Sequence, residues 1–570
     1  MYSKDILVRD PSYSHIHIQY MSKYYSIIIT RIIRIITLLA FLTAQVAWAG
    51  LSDDTFHIRQ LQPHKAGAKG AGDVEAEIAS ALGDGVGNVH PGGIQWPGEG
   101  HSAAIGRAND ASDVVTRLPY GKKQEELAVP RHNLVSISGF DSSYFVNPNG
   151  IQAVEDALDH PIGSAALKKM CEGKQTVAIL VDDDTRPTPA SFILSVVLKR
   201  LKKAGIKKEN ITIIVAKGTH PELNPEALAE KLGQDVLENY RVIQHNSKDR
   251  ENLVFVGTTK QGTVVEINKY AADADVCVGI GHISLSPFAG FSGGYKLWLP
   301  GISSIQTIKQ NHMFAKWPSS DIGILEDNAV RLDMEEAGGF LKNNFLIDVI
   351  LNSNREIISA IAGDVVKAHR VAVAELRSHI TIKSDDMADV CVISAVPYDH
   401  SVYHVVHKLL AVRPFVKKGG IIICYGQCPH GIGPQDFIKA MDSETTDEEI
   451  ERSIGDGELM PDKGYIALRI RQLLRDYKVR IFTRQRLQEG IEAIGIGYTN
   501  SVNDDIKCYL QQNGDAKIIV LPSIVVLPEQ NLNGIGQATG TAGPIPIGRA
   551  NAASEEWGQI KCHLGMEQDL

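Results

Sequence analysis

The sequence predicts an α/β protein with two domains, each built on a mainly parallel sheet, and an active site in the cleft between them. One observation is the continuous apolar run at residues 176–181 (TVAILV), and a second is the similar run at residues 275–280 (DVCVGI). Such runs are typical of parallel strands that are buried on both faces. The third observation is that helical segments alternate with these runs, which is the order expected of a doubly wound sheet.

The first domain is predicted to span residues 115–383, and its elements follow one another in strand and helix order. Apolar runs bounded by polar residues are assigned as strands, and the segments with a helical period as helices. After the first strand come a helix at 190–204, a strand at 210–216, a helix at 225–232 and strands at 252–256 and 263–267.

The second domain is predicted to span residues 384–545. The pentapeptide Ala-Asp-Val-Cys-Val occurs at 274–278 and again at 388–392, which weakly suggests two similar cores. The predicted elements are a strand at 389–395, a helix at 402–412, and strands at 420–424, 477–482 and 516–521.

Composition excludes several classes of protein. The chain has 570 residues and a net charge of −9, so it lacks the basic surplus of a nucleic-acid-binding protein. Its 7 cysteines form no C-x-x-C pair, which argues against a disulfide scaffold and a structural zinc site.

The N-terminal residues 1–49 have the layout of a secretory signal peptide. Lys23, Arg31 and Arg34 precede an apolar run, and Ala-Trp-Ala at 47–49 supplies an A-x-A cleavage site. We expect export to the periplasm or the extracellular space if this leader is used, and a cytoplasmic protein otherwise. The alternatives are a misassigned start or an uncleaved anchor, which would be the chain's sole contact with a membrane. A Gly-rich linker is expected at 50–114 and a polar tail at 546–570.

Polar residues follow the first two strands, where open α/β sheets bind ligands. Asp183 and Arg186 come directly after the first strand, and His220 follows the second. An arginine can hold a substrate carboxylate in a planar fork, here with Asp183 orienting it. A histidine at a strand end can act as a general base near neutral pH. The alternatives are a helix-capping role for the first motif and a surface position for His220.

The third strand is followed by a glycine-rich loop at residues 288–296 (FAGFSGGYK). Ser292, Gly293 and Gly294 would let backbone N–H groups approach an anion, although the spacing is not that of a P-loop. Lys296 could bind phosphate or form a covalent bond with a cofactor. A flexible turn and a solvated lysine are the alternative. His312, on a helix predicted at 303–314, could bind a metal only with ligands supplied from elsewhere.

The second domain contributes a histidine-rich segment around Tyr403. On a helix, His400, His404 and His407 would share one face. Two imidazoles at this spacing can bind zinc, but the segment lacks an H-E-x-x-H glutamate and an obvious third ligand.

Together these motifs resemble the lactate racemase family over residues 115–545. The matching motifs include Asp183-x-Thr185-Arg186-Pro187, Gly218-Thr219-His220 and the Gly-rich loop ending at Lys296. The resemblance implies two α/β domains and a nickel-pincer nucleotide, a pyridinium-3,5-bisthiocarboxylic acid mononucleotide that holds nickel through sulfur and carbon. It also implies that cofactor-synthesis enzymes are partners.

The resemblance also implies roles for individual residues. Lys296 would attach the cofactor and His312 would complete the nickel coordination. His220 would be one of two acid/base histidines. Asp183 and Arg186 would lie around the substrate and that histidine, and Tyr403 would be a substrate-site tyrosine. The implied reaction is racemisation or epimerisation of a small 2-hydroxy acid by reversible hydride transfer through a 2-keto intermediate.

The sequence departs from the family on the substrate side. Ser286 stands where the family has its second catalytic histidine, and His404 and His407 replace the family's glutamine and lysine. His404, His407 or His282 could supply the missing base for a larger and more polar hydroxy acid, or the reaction could use one base. The alternative function is a non-catalytic exported protein that binds nickel, the cofactor or an organic acid. The leader conflicts with a cofactor built in the cytoplasm.

Overall fold

The structure is a computed structural model and describes residues 112–138, 150–352, 354–382, 387–523 and 525–528. The predicted leader, all but the last residues of the predicted linker, and the predicted tail lie outside these ranges. Within the described ranges, no helix is long and apolar enough to cross a bilayer.

The strands are numbered in chain order. They are β1 Asp113–Tyr120, β2 Lys123–Pro130, β3 Leu134–Ile137, β4 Val177–Val181, β5 Ile211–Val215, β6 Arg241–Gln244, β7 Leu253–Thr258, β8 Val264–Asn268, β9 Val276–His282, β10 Leu285–Ser286, β11 Gly290–Phe291, β12 Asn344–Leu351, β13 Ile357–Gly363, β14 Thr381–Ile382, β15 Ala388–Ser394, β16 Val416–Tyr425, β17 Lys478–Phe482, β18 Gly497–Thr499, β19 Ile518–Leu521 and β20 Leu527–Pro528.

The helices are numbered in the same way. They are α1 Gly150–Asp159, α2 Leu167–Met170, α3 Ala190–Lys203, α4 Pro225–Leu232, α5 Gln234–Asn239, α6 Lys269–Ala272, α7 Ile305–Met313, α8 Ala329–Gly339, α9 Val365–Ile380, α10 Val402–Leu409, α11 Gln435–Ala440, α12 Asp447–Gly455, α13 Pro461–Asp476, α14 Gln488–Ala493 and α15 Val502–Gln512. Short 3₁₀ helices at Lys208–Asn210, Arg250–Asn252, Gly294–Leu297, Phe314–Lys316, Leu410–Phe415 and Gln485–Leu487 complete the set.

Two six-stranded sheets confirm the predicted α/β class. The first sheet has the order β13-β12-β9-β4-β5-β6, and all of its pairs are parallel except β12–β13. The second has the order β18-β17-β16-β15-β19-β3 and is wholly parallel. Strand β4 is buried along its whole length because helices cover both faces of the sheet.

Two parts of the predicted topology need correction. Residues 115–137 were expected in the first domain, but β3 pairs with β19 and forms the edge of the second sheet. Strands β7 and β8 were expected to belong to the first sheet, but they form a separate antiparallel ribbon. The partner of β3 lies far away along the chain, whereas β7 and β8 follow one another and pair with each other.

The helix predicted at 402–412 is shorter than expected. Ser401 caps its N-terminus by accepting a hydrogen bond from the backbone N–H of His404, so His400 precedes the helix. The helix ends at Leu409 and a 3₁₀ turn follows, because Pro414 cannot supply a backbone N–H to a longer α-helix.

Candidate active site

A cavity lies at the carboxyl ends of β4, β5 and β9, where the second domain covers the first sheet. The first domain contributes the residues that follow these strands and the Gly-rich loop. The second domain contributes α10 and the start of α13. Most of the residues singled out in the sequence line it, namely Asp183, Arg186, His220, Ser286, Ser292, Gly293, Lys296, His312, Tyr403, His404 and His407.

Asp183 and His220 form a close pair at the ends of β4 and β5. His220 Nδ1 lies 2.5 Å from Asp183 Oδ2, and Thr185 donates to the other carboxylate oxygen at 2.5 Å. Burial alone would raise the pKa of Asp183, but His220 and Arg186 outweigh it and hold that pKa below its usual range. The residue pattern favoured Asp183 orienting Arg186, whereas the family resemblance placed Asp183 and Arg186 around the substrate and His220. The structure shows Asp183 holding His220, while Arg186 contacts Thr185 at 3.3 Å.

A second, buried polar network lies behind this pair, and His282 is the one member of it that the sequence analysis singled out. Asp182 contacts Lys231 at 2.7 Å and accepts a hydrogen bond from Thr188 at 2.5 Å. Thr188 also contacts His282 Nδ1 at 2.9 Å, and His282 Nε2 lies 3.4 Å from Tyr398 Oη. Because both ring nitrogens of His282 have partners, this histidine is not available as a free base.

The Gly-rich loop is held rigidly by its own hydrogen bonds. Ser292 Oγ donates to the carbonyl of His282 at 2.7 Å and accepts from the N–H of Ser284 at 2.7 Å. Gly293 has φ +73°, and an added Cβ would lie 2.5 Å from Asp348 Oδ2. Gly294 donates its N–H to the same carboxylate at 2.9 Å and does not line the cavity.

Arg331 is the buried support of this loop. Its guanidinium donates to the carbonyls of Ala289 and Gly293, each at 3.2 Å, and to that of Phe291. Arg331 is 0% exposed. An arginine in the first turn of an ordinary helix gives no sequence signal for this role.

Lys296 and His312 face the same cavity from the first domain. Lys296 Nζ donates to Ser286 Oγ at 3.0 Å, and burial together with nearby Arg186 lowers the pKa of Lys296 well below its usual value. His312 Nδ1 lies 3.0 Å from the carbonyl of Ile308, and burial lowers the pKa of His312 to about 4. A carbonyl only accepts, so Nδ1 carries the hydrogen and Nε2 keeps its lone pair.

Helix α10 brings three of the predicted residues to the opposite wall. The rings of Tyr403 and His407 lie 4.0 Å apart, and those of His404 and His407 lie 6.1 Å apart. Burial lowers the pKa of both histidines well below the usual value, so both imidazoles are neutral at pH 7. His404 Nδ1 contacts Ser401 Oγ at 2.8 Å, whereas His407 Nε2 is buried without a hydrogen-bond partner.

Asp462 and Lys463, at the start of α13, also line the cavity and were missed in the sequence. Lys463 pairs with Asp462 Oδ2 and lies 5.3 Å from the centre of the Tyr403 ring. Asp462 Oδ1 is buried and has no hydrogen-bond partner.

Metal binding by protein side chains alone is not supported in the part of the chain that the structure describes. No group of three or more His, Cys, Asp or Glu side chains there is placed to hold an ion. A metal at His312 would therefore need its other ligands from a bound molecule.

Comparisons with known proteins point to one family. Residues 120–323 match the family model described as the lactate racemase N-terminal domain, and residues 383–527 match the lactate racemase C-terminal domain. The lactate racemase of Thermoanaerobacterium thermosaccharolyticum is 32% identical over 71% of this chain and 96% of its own length. That of Lactiplantibacillus plantarum is 31% identical over 72% of this chain and 98% of its own length.

Solved structures agree with this result. The lactate racemase apoprotein of Thermoanaerobacterium thermosaccharolyticum matches with a TM-score of 0.66 and 29% identity, over 73% of this chain and 100% of that chain. A crystal structure of a Thermotoga maritima protein matches with a TM-score of 0.54 over 66% of this chain and 97% of that chain. At 19% identity, the second match shows the fold alone.

Proposed function

Because the chain belongs to the lactate racemase family, we propose that it is a racemase or epimerase of a 2-hydroxy acid that depends on a nickel-pincer nucleotide. The observation that carries this proposal is the convergence of Lys296, His312 and the Asp183–His220 pair on one cavity. The two domains each supply part of this cavity, as the family resemblance implies.

The residues of the cavity fit the proposed cofactor. Lys296 is a buried amine whose lowered pKa favours the neutral, nucleophilic form needed for covalent attachment. His312 offers Nε2 as a single nitrogen ligand, which suffices if the cofactor supplies the remaining nickel ligands. When bound, such a cofactor supplies a reversible acceptor for the hydride on C2 of the substrate.

The protein's own residues position the substrate and move its proton. Arg186 binds the substrate carboxylate in a planar fork. The Asp183 carboxylate can only accept a hydrogen bond, so His220 Nδ1 carries the hydrogen and Nε2 is free to take the proton of the substrate hydroxyl. Oxidation at C2 gives the 2-keto acid, and reduction on the opposite face gives the other stereoisomer.

A second proton acceptor is needed because the hydroxyl points in opposite directions in the two stereoisomers. We assign this role to His407, which is neutral and has an unpartnered Nε2. His404 is the weaker candidate because the Ser401 hydroxyl, unlike a carboxylate, can donate to its Nδ1 and leave the ring hydrogen on Nε2. His282 is excluded by its two partners.

The test is intact-mass spectrometry and nickel analysis of protein produced together with cofactor-synthesis enzymes. We expect a mass adduct on Lys296, bound nickel and interconversion of 2-hydroxy acid stereoisomers. Lys296→Ala should lose the adduct, whereas the control Lys342→Ala, an exposed lysine, should keep it. Absence of both adduct and nickel from the unchanged protein would refute the cofactor assignment.

A non-catalytic binding protein for nickel, cofactor or an organic acid is the second candidate. Ser286 favours it, because a serine without a general base is a poor proton acceptor. Calorimetric titration with hydroxy acids and a chirality assay separate the two functions, since a binder gives heat without stereochemical exchange.

Cell fractionation with N-terminal sequencing tests the proposed export, for which a mature start at Gly50 is expected.

A further inference from the structure

The cavity contains one buried polar atom that the proposed reaction does not use. Among the described residues, three side-chain atoms that are buried without a hydrogen bond belong to residues lining this cavity, namely Asp182 Oδ1, His407 Nε2 and Asp462 Oδ1. Asp182 Oδ1 is compensated by Lys231 at 2.7 Å, and His407 Nε2 is assigned to the substrate hydroxyl at C2. Asp462 Oδ1 remains without a partner.

The position of Asp462 places this oxygen close to the reaction. Asp462 lies in the first turn of α13, which packs against α7, the helix of His312, and against α10, the helix of His407. Its other oxygen, Oδ2, is held by Lys463, which in turn lies over the Tyr403 ring. One oxygen of the carboxylate is thus held by Lys463, while the other is buried and unpartnered in a residue that lines the cavity.

The chemistry of this oxygen limits what it can bind. Asp462 Oδ2 forms an ion pair with Lys463, so the side chain is an ionised carboxylate. An ionised carboxylate accepts hydrogen bonds and donates none. A buried acceptor without a partner is unfavourable, so the bound ligand is expected to bring a donor. A second carboxylate on the substrate would bring a negative charge, which the Asp462 carboxylate would repel.

We infer that the substrates are 2-hydroxy acids with a further hydroxyl group at C3, and that Asp462 Oδ1 accepts a hydrogen bond from it. This inference rests on the proposed function and names its substrate class. Lactate carries only a methyl group at C3, so it would leave Asp462 Oδ1 unpaired. A site built to bind a hydroxyl group discriminates strongly against an analogue that lacks it.

The experiment compares lactate, glycerate and malate as substrates of the cofactor-loaded protein. Their substituents on C2 are a methyl group, a hydroxymethyl group and a carboxymethyl group, respectively. We expect kcat/KM for glycerate to exceed that for lactate and for malate by at least about tenfold. Equal or higher values for lactate or malate would overturn the inference while leaving the proposed function intact.

Two variants test whether Asp462 causes the preference for glycerate over lactate. Asp462→Ala removes both carboxylate oxygens and should reduce the glycerate-to-lactate ratio of kcat/KM by about tenfold. The control is Asp436→Ala, which truncates an exposed aspartate in the first turn of α11 and should leave the ratio unchanged. An equal loss on both substrates would overturn the inference.

Cofactor content and calorimetric binding test whether Asp462 acts on the substrate and not on the cofactor. The nickel content and the Lys296 adduct of Asp462→Ala should equal those of the unchanged protein, and a lost adduct would overturn the inference because Asp462 would then serve cofactor attachment. Calorimetric titration of the purified protein with glycerate and lactate needs no turnover. If no acid is interconverted, tighter glycerate binding that Asp462→Ala abolishes would still support the hydroxyl site, whereas equal binding of both acids would refute it.

Discussion

Lys296 Nζ donates a hydrogen bond to Ser286 Oγ at 3.0 Å, so the residue that departs from the family resemblance contacts the proposed cofactor lysine. Ser286 is fixed in β10, where it pairs with Gly290 of β11. The Ser286 hydroxyl could therefore accept a proton from the substrate only if its hydrogen bond with Lys296 were first broken. We interpret Ser286 as a residue that positions Lys296.

Replacement of Ser286 by alanine should slow cofactor attachment. Without the hydroxyl acceptor, the Lys296 amine loses its one side-chain partner and samples other rotamers. We expect the fraction of protein with a Lys296 adduct to fall several-fold at a fixed co-expression time, as measured by intact mass. Ser286→Thr keeps the hydroxyl and should restore the fraction. Equal adduct fractions in all three proteins would exclude a positioning role.

Replacement of Asp183 by asparagine should nearly abolish turnover. The asparagine amide can donate to His220 Nδ1, which would move the ring hydrogen to Nε2 and remove the base. A change of this kind in a serine-protease triad lowers kcat by roughly 10⁴-fold, and a loss of about 10³-fold or more is expected here. The control is Asp184→Asn, an exposed neighbour that should retain activity. Nickel and adduct content should stay normal in both variants.

Replacement of His407 by glutamine should block exchange between stereoisomers. Loss of one positioned acid/base group costs about 10²–10⁴-fold in rate. The measurement is the rate of loss of optical rotation, with His430→Gln as the control because His430 is exposed and does not line the cavity. An unchanged rate for His407→Gln, with a large loss for His404→Gln, would transfer the role to His404.

A methyl group at Gly293 should disrupt the loop. Its φ of +73° disfavours alanine, and the added Cβ would lie 2.5 Å from Asp348 Oδ2 and 2.6 Å from Ile283 Cδ1. Gly419→Ala is a matched control, since Gly419 has φ +82° with nothing within 4 Å of the added carbon. We expect Gly293→Ala to be less stable than the control by about 1–3 kcal/mol and to lose the cofactor adduct. Similar melting temperatures would contradict the steric argument.

The carboxyl group of Asp348 should make stability depend on pH. Burial raises the pKa of Asp348 to about 7, above the value near 4 expected in the unfolded chain. Between pH 4 and pH 7 the folded protein therefore keeps a proton on Asp348 that the unfolded chain has released. The stabilisation from this proton is fully present below pH 4 and is lost as the pH rises through 7. The difference is worth up to about 4 kcal/mol.

The test is the melting temperature of Asp348→Asn relative to the unchanged protein at pH 5 and at pH 8. Asparagine keeps an acceptor for the Gly294 N–H but cannot ionise. The variant should gain on the unchanged protein as the pH rises. A difference that stays constant with pH would show that Asp348 is not protonated in the folded state.

Much of the candidate site was predictable because parallel strands bring their ends together. Asp183 and His220 are separated by 37 positions in the sequence, yet β4 and β5 pair in parallel and place both residues at one edge. The pairing of β3 with β19 was not predicted, because no sequence pattern connects an edge strand at 134–137 with a partner at 518–521.

The sequence by itself determined the α/β class, the position of nine of the 20 strands that the structure describes and the polar residues that follow several of them, because apolar periodicity and strand ends are local properties. Only the tertiary structure decided how those residues are paired. It placed Asp183 against His220, Ser286 against Lys296, and both partners of His282 within reach of its ring. It also brought Arg331, Asp348 and Asp462 into the site, because burial and hydrogen-bond completion depend on what packs around a side chain and not on its neighbours in the sequence.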